Sequence, residues 1–255
     1  MSGGISWCCG HIPWLPGQES GDEMRRKLIY GGLGLLILLS GILLWANLAG
    51  EQQGSESEPP LPEGVSSATQ ARYDEVEIRN YEGQRLDPST GPRDNSIQGI
   101  QEVDLETYRL ELTGLVERPL TLTYDQVLEE EHIQRMVRLI CVEGWTANIL
   151  WEGIRLTDLL DQAGPTDKAQ IAIFHCADGY TTSLPLETIR ERDLLLAFSS
   201  NGIDLPSALG APFILVAEDK LGYKWARWIE KIELSDDAEY RGYWESRGFP
   251  NDADI

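Results

Sequence analysis

Residues 136–145 read Met-Val-Arg-Leu-Ile-Cys-Val-Glu-Gly-Trp, and the interpretation of the fold starts from this stretch. The run from Met136 to Ile140 is apolar apart from Arg138, which predicts a β-strand. The strand is expected to end at Cys141, where a loop begins. Taken alone, a lone cysteine is more often a small buried apolar residue than a ligand. The sequence therefore places a thiol at the end of a strand and leaves its role open.

Strands and short helices are predicted on both sides of this stretch. Residues 108–112 alternate as a half-buried strand, and residues 157–163 predict a short helix that ends at Gly164 and Pro165. The other predicted elements are a helix at 124–130, strands at 169–175, 213–217 and 228–234, and a tight turn at Asn201-Gly202. Strands dominate and no β-α repeat is regular. The predicted class is mixed α+β, with mixed β-sheets and short helices in one domain.

The segment from Leu28 to Leu48 predicts a transmembrane helix. It carries no charged residue, and a helix of this length spans roughly 31 Å, enough to cross the hydrocarbon core. Arg25, Arg26 and Lys27 precede it and acidic residues follow, so the N-terminus is expected in the cytoplasm and the bulk outside. The arginine pair also fits a twin-arginine export signal. We expect a single-pass protein of the cell membrane with an uncleaved anchor.

The chain is predicted to divide into five parts. These are a cytoplasmic N-terminus at residues 1–24, the anchor at 25–48, a polar and Pro-rich linker at 49–92, a globular domain at 93–250 and a tail at 251–255. The net charge of −21 falls after residue 48, because the charges before it sum to zero. So acidic a part repels phosphate backbones, and we expect no nucleic-acid binding. It suits a basic partner such as a positively faced cytochrome, or serves only solubility.

The numbers and spacing of cysteine and histidine residues argue against several kinds of site. The chain has four cysteines and no Cys-x-x-Cys pair, which disfavours both a disulfide scaffold and a zinc site. A cysteine hydrolase is unsupported, because the chain has three histidines and His11 lies before the anchor. A disulfide between Cys141 and Cys176 stays open as an alternative outside the cytoplasm.

A series of short motifs follows a fixed order along the chain. They are residues 114–119 (GLVERP), 141–145 (CVEGW), 151–156 (WEGIRL), 178–186 (DGYTTSLPL), 210–212 (GAP) and 221–225 (LGYKW). From about residue 94 to 234, this series resembles the molybdopterin-binding domain of the sulfite oxidase family. Within that family it is most similar to the bacterial periplasmic protein-methionine-sulfoxide reductase catalytic subunits and their relatives.

The resemblance implies that Cys141 binds molybdenum beside the two dithiolene sulfurs of one pterin. The implied cofactor is therefore molybdenum-molybdopterin, and the implied chemistry is two-electron oxygen-atom transfer. A thiolate is an anionic, polarisable donor, which suits a metal already held by sulfur. Tyr180 corresponds to a tyrosine that faces the substrate pocket, where it is a candidate hydrogen-bond donor to a bound oxyanion. The alternative is a core aromatic residue on a turn.

The resemblance also implies a set of cofactor contacts. These are Asn95, Cys176, Lys224, Trp225, Ala226 and Arg227. Residues 220–231 hold four basic side chains, which supply the positive charge that a pterin phosphate needs. The alternatives are an ordinary turn asparagine, a packed cysteine and a solvated basic face.

Two positions depart from the family pattern. Leu209 and Ile214 stand where the family usually has a histidine or asparagine and an arginine. The absence of that arginine favours a neutral or larger substrate, such as a sulfoxide, over a small dianion.

We therefore predict a membrane-anchored, extracytoplasmic molybdopterin-dependent oxidoreductase. It acts on a small-molecule or protein-bound substrate, with a membrane haem subunit or a cytochrome as its electron partner. The alternatives are a sulfite-oxidase-like dehydrogenase, and a non-catalytic membrane-tethered binding module that has lost the cofactor on the same fold.

Overall fold

The computed structural model describes residues 67–90 and 96–255. The predicted cytoplasmic N-terminus, the anchor and most of the linker lie outside the described residues. Among the residues it does describe, no helix has both the length and the apolar character needed to span a bilayer.

The described residues form two five-stranded sheets, a small hairpin and short helices. The strands are β1 (Asn80–Tyr81), β2 (Gln84–Arg85), β3 (Leu110–Gly114), β4 (Leu120–Leu122), β5 (His132–Ile140), β6 (Thr146–Arg155), β7 (Ile171–Cys176), β8 (Thr181–Pro185), β9 (Leu195–Ser200), β10 (Ile203–Asp204), β11 (Ile214–Val216) and β12 (Ile229–Ser235). The helices are α1 (Ser67–Val76), α2 (Tyr124–Val127), α3 (Leu156–Ala163) and α4 (Leu186–Glu191), with 3₁₀ turns at Ser207–Leu209, Gly222–Lys224 and Glu245–Arg247. The predicted mixture of sheets and short helices is confirmed.

The first sheet, sheet A, has the strand order β10-β9-β6-β5, and β11 also pairs with β9. Its longest pairing is the antiparallel β5–β6 hairpin, which runs from His132 opposite Ile154 to Ile140 opposite Thr146. Cys141 therefore follows the last residue of β5, as predicted.

The second sheet, sheet B, has the order β4-β3-β12-β7-β8. Its β3–β12 pair is parallel, and its β7–β8 hairpin ends with His175 opposite Thr181. The turn that joins the two strands of this hairpin begins just after Cys176. Each sheet thus contributes a hairpin with a cysteine at the end of its first strand, Cys176 as the last residue of β7 and Cys141 directly after β5.

The two sheets share one apolar core. Trp151 from β6, Phe174 from β7 and Ile232 from β12 are fully buried members of a single cluster. Helix α3 packs its buried leucines on the same cluster and ends at Gly164, whose positive φ of 68° is the left-handed conformation that glycine tolerates best. The predicted helix end is therefore confirmed.

Strands β6, β8 and β9 were not predicted. The clearest reason is seen in β9, where all six residues are buried. A strand buried on both faces lacks the apolar–polar alternation that marks a half-buried strand. Its sequence alone does not distinguish it from a buried helical segment.

The predicted domain boundaries need correction at both ends. Residues 67–90, assigned to the linker, form α1 and the β1–β2 hairpin. The following chain joins the domain, because the N–H of Asp87 donates to the carbonyl of Asn148 at 2.8 Å and Leu86 is fully buried. The predicted tail also contacts the domain, since Leu221 N–H donates to the Ala253 carbonyl at 2.9 Å. These partners are distant in sequence, so the local composition alone predicted a linker and a tail.

Asn201 fastens the first of these segments to sheet A. Its buried side chain accepts from Leu150 N–H at 3.0 Å and donates to the Asp87 carbonyl at 2.8 Å, while its φ is 50°. Together with Gly202 it forms the predicted tight turn.

Replacing Asn201 by alanine is expected to destabilise the fold by about 2–3 kcal/mol, because one buried and one part-buried backbone group lose their partners and alanine disfavours a positive φ. Urea unfolding measures the loss. Gln134→Ala is the control, since its side chain bonds Glu152 on the surface, and a cost below about 0.5 kcal/mol is expected there. Equal costs for the two variants would contradict the assignment.

Candidate active site

A cavity of about 590 Å³ lies beside the turns that follow β5 and β7. Cys141 and Arg227 contribute to its wall, together with a large share of aromatic side chains. Those aromatic residues are Trp145, Tyr180, Tyr223, Trp225, Trp228, Trp244 and Phe249. The wall therefore combines a thiol and a guanidinium with flat apolar surfaces.

The turn between β5 and β6 sets the position of the Cys141 thiol. Cys141 N–H donates to the Trp145 carbonyl at 3.0 Å, and Gly144 N–H donates back to the Cys141 carbonyl at 3.0 Å. Gly144 has a φ of 89°, a left-handed conformation that closes this turn without strain. Cys141 is 7% exposed and lies in the cavity wall.

The surroundings of the Cys141 thiol act on its pKa in both directions. Burial raises the pKa most, and the negative charge of Glu143 adds to the rise. Backbone N–H groups of Val142 and Glu143 and the positive charge of Arg227 oppose it. The net shift is upward, which favours the neutral thiol until a cation binds to the sulfur.

The turn between β7 and β8 repeats this geometry. Cys176 N–H donates to the Tyr180 carbonyl at 3.0 Å, Gly179 N–H donates to the Cys176 carbonyl at 2.9 Å, and Gly179 has a φ of 81°. Both turns read cysteine, small apolar residue, acid, glycine, aromatic residue. This repeat was readable in the sequence at residues 141–145 and 176–180, and the sequence analysis missed it.

Cys176 differs from Cys141 in its surroundings. It is 6% exposed and belongs to the core cluster, but it is not among the residues of the cavity wall. Burial raises the pKa of its thiol strongly. Both cysteines are free thiols, so the alternative of a disulfide between them is wrong. The prediction that Cys176 contacts the cofactor gains no support from this placement.

Tyr180 lies in the wall, as expected, but its hydroxyl already has an acceptor. The O–H donates to the carbonyl of Tyr223, and burial raises the pKa of the phenol. The expectation that Tyr180 donates to a bound oxyanion is therefore corrected for this structure. The hydroxyl instead holds the turn at Gly222–Lys224 against β8.

The prediction that the Lys224 side chain contacts the cofactor needs a larger correction, because this side chain does not face the cavity. Its side chain is completely buried, and its ammonium donates to Glu245 Oε1 at 2.6 Å, to the Ser183 carbonyl at 2.9 Å and to Asn251 Oδ1 at 3.2 Å. Burial lowers the pKa of Lys224, and the bond to Glu245 counteracts this. An ammonium has three N–H donors, and all three are used within the protein. Lys224 holds the C-terminal segment in place.

Arg227 alone of the four basic residues predicted at 220–231 lies in the cavity wall. Its guanidinium donates to the Ala208 carbonyl at 3.1 Å. Lys220 pairs with Asp254, and Lys231 pairs with Glu233 at 3.2 Å. Of the four basic residues in the predicted segment, one therefore contributes its positive charge to the cavity wall.

Of the other residues predicted to contact the cofactor, Trp225 lies in the cavity wall and Ala226 does not. Trp225 lies in the wall and its indole N–H donates to the Lys220 carbonyl at 3.0 Å. Ala226 is fully buried, and its carbonyl accepts from Leu215 N–H at 2.9 Å. Asn95 lies outside the described residues. Leu209 and Ile214, the two departures from the family pattern, are buried in the core.

The C-terminal segment contributes to the wall, which the sequence patterns did not predict. Trp244 and Phe249 line the cavity, and their ring centroids are 5.3 Å apart. Phe249 also packs edge-on against Tyr223 at 5.4 Å. The concentration of aromatic residues after position 239 was the available signal.

The cavity fits a molybdenum-pterin cofactor in its donor chemistry. Cys141 offers a thiolate to the metal, Arg227 offers positive charge to a phosphate, and the aromatic faces suit a flat ring system. The residues that the structure brings together are therefore those that such a group requires.

Lys224→Met is expected to destabilise the protein by about 3–5 kcal/mol, because it leaves the buried Glu245 carboxylate without its counter-charge. Adding Glu245→Gln should recover part of the loss. The control Lys231→Met removes an ion pair whose side chains are 34% and 37% exposed and should cost less than about 1 kcal/mol. Urea unfolding compares the three variants. A Lys224→Met variant as stable as the control would contradict the structural role.

Comparison with known proteins supports the interpretation of the cavity. Residues 97–244 match the model of the family described as oxidoreductase molybdopterin binding domain. A protein of Azospira oryzae with the provisional name protein-methionine-sulfoxide reductase subunit YedZ1 is 35% identical over 150 residues, 59% of this chain and 57% of that relative. The protein-methionine-sulfoxide reductase catalytic subunit MsrP of Campylobacter jejuni is 27% identical over 88% of this chain and 77% of its own.

A solved structure shares the fold. The sulfane dehydrogenase SoxCD from Paracoccus pantotrophus superposes with a TM-score of 0.54 at 21% identity, over 74% of this chain and 57% of that chain. The present chain therefore spans little more than half the length of this protein and of the Azospira relative. The family match covers more than half of the chain and includes the cavity residues from both hairpin turns. The chain belongs to the oxidoreductase molybdopterin binding domain family and carries that family's molybdopterin-binding domain.

Proposed function

We propose that this chain is a membrane-anchored, extracytoplasmic oxidoreductase that reduces sulfoxides by two-electron oxygen-atom transfer. The observation that carries the proposal is the Cys141 thiol in the wall of an aromatic cavity, held there by the β5–β6 turn. The anchor is assigned to the segment from Leu28 to Leu48, on its length and lack of charge. Family membership supports the cofactor.

The reaction balances as one sulfoxide, two electrons and two protons giving one sulfide and one water. When bound, the molybdenum cofactor supplies the oxygen-atom transfer. The protein's part is to hold the metal through Cys141 and to offset the anionic phosphate with Arg227. The aromatic wall excludes water from the reacting atoms, which strengthens the electrostatic interactions there.

Charge in the cavity favours a neutral substrate over a sulfite-like dianion. Two carboxylates, Glu143 and Asp178, and one guanidinium, Arg227, belong to the wall. Leu209 and Ile214 add no polar contact, since both are buried in the core. A small dianion would meet a surplus of negative charge here. The Azospira and Campylobacter relatives are named as protein-methionine-sulfoxide reductase subunits, which agrees with a sulfoxide substrate.

The two electrons need a donor from another protein. We assign this role to a membrane haem subunit or a cytochrome, which delivers electrons one at a time. The surplus of acidic residues after position 48 suits a donor with a basic docking face.

Cys141→Ser is expected to reduce bound molybdenum to background, because it removes the protein's thiolate ligand. The wild-type chain, purified from a host that makes the cofactor, should hold about one molybdenum per chain. Elemental analysis with a pterin assay measures both. Cys176→Ser is the matched control, since that thiol lies outside the wall, and it should keep its metal. If both variants retain equal amounts of molybdenum, the assignment of Cys141 is contradicted. If the wild-type chain holds no molybdenum, the result favours a non-catalytic binding module.

Steady-state kinetics with two substrates tests the direction of the reaction. With a reduced viologen as electron donor, we expect turnover of a neutral alkyl sulfoxide. With ferricyanide as acceptor, sulfite oxidation should be at least tenfold weaker in kcat/KM, because the cavity repels the dianion. Efficient sulfite oxidation without sulfoxide reduction would instead support the dehydrogenase alternative.

A further inference from the structure

The acidic residues of the two repeated turns occupy different environments. Asp178 is 1% exposed, and its carboxylate accepts from the backbone N–H groups of Tyr180 at 2.9 Å and Ile97 at 3.2 Å. Its charge is thus used to hold the turn. Glu143, at the same place in the other turn, is exposed and accepts from the indole N–H of Trp145 at 3.2 Å.

This difference leaves the Glu143 carboxylate at the rim of the cavity. Glu143 is both exposed and part of the wall, and it lies two residues after Cys141. The Trp145 indole restrains its direction. Val142, beside it, is 49% exposed and also belongs to the wall. The tip of the turn therefore offers one negative charge next to an apolar side chain.

The Glu143 carboxylate lines the same cavity as the Cys141 thiol. Arg227 belongs to the same wall and carries the opposite charge. Both charges therefore act on the region where a substrate would sit against the metal ligand. The exposed Glu143 carboxylate would therefore repel an anionic substrate at the rim of the cavity.

We propose that Glu143 is a specificity-determining residue that discriminates against anionic sulfoxides and favours neutral or cationic ones. This inference rests on the proposed function and narrows its substrate class. The carboxylate acts on substrate binding through its charge, and it takes no part in the oxygen-atom transfer.

The test compares matched aryl sulfoxides that differ in charge. The substrates are methyl phenyl sulfoxide, its 4-carboxylate and its 4-aminomethyl derivative, assayed with the holoenzyme and reduced viologen. Glu143→Gln should raise kcat/KM for the carboxylate relative to the neutral compound by about fivefold, through KM, and Glu143→Lys should raise it further. The cationic substrate should change in the opposite direction. Both shifts should shrink at high salt, because ions screen an exposed charge.

Two controls separate charge from other effects. Glu111→Gln neutralises an exposed carboxylate on β3, outside the cavity wall, and should leave the ratio unchanged. Binding of an inert pair, methanesulfonate and dimethyl sulfone, is measured as inhibition constants. Glu143→Gln should strengthen the binding of methanesulfonate by about the same fivefold factor and leave the binding of dimethyl sulfone unchanged.

The outcomes distinguish this inference from the proposed function. One outcome is that the enzyme reduces the neutral sulfoxide while the ratio of kcat/KM for the carboxylate to kcat/KM for the neutral compound is the same in wild type, Glu143→Gln and Glu143→Lys. That result overturns the role of Glu143 and leaves the proposed function standing. A ratio shift that persists unchanged at high salt also overturns it. A wild-type holoenzyme that reduces none of the sulfoxides overturns both.

Discussion

The backbone hydrogen bond from Cys141 N–H to the Trp145 carbonyl is the constraint on which the site depends. It closes the turn at the end of the longest hairpin in the described part of the chain, so the thiol inherits the rigidity of sheet A. The same bond geometry recurs between Cys176 and Tyr180 on sheet B. One local fold, used twice, thus gives the cavity a thiol on one side and a tyrosine on the other.

A second interaction keeps another part of the cavity wall in place. The buried pair of Lys224 and Glu245 ties the Gly222–Lys224 turn to the C-terminal segment that carries Trp244. Such a pair gives limited net stability, because desolvation offsets much of the attraction. Its effect is positional: neither partner can move without leaving a charge unpaired in the interior. The cavity is therefore defined by two turns and one buried ion pair.

The sequence was informative wherever the cause was local. Strand β5 and the end of helix α3 could be predicted because an apolar run and a glycine mark them. The position of Lys224 could not, because its partners Ser183 and Glu245 are 41 and 21 residues away. A basic residue in a recognised motif is easily taken for a cofactor contact when the acid that neutralises it is distant. Of the basic residues at 220–231, Arg227 is the one that lies in the cavity wall.

The central claim is that Cys141 is the protein's ligand to the metal. X-ray absorption at the molybdenum edge tests it most directly, because it counts the sulfur neighbours of the metal in the intact holoenzyme. We expect three sulfur neighbours in the wild type, two from the pterin and one from Cys141. Any metal that Cys141→Ser retains should show two. Three sulfurs in the variant, or two in the wild type, would contradict the assignment of Cys141.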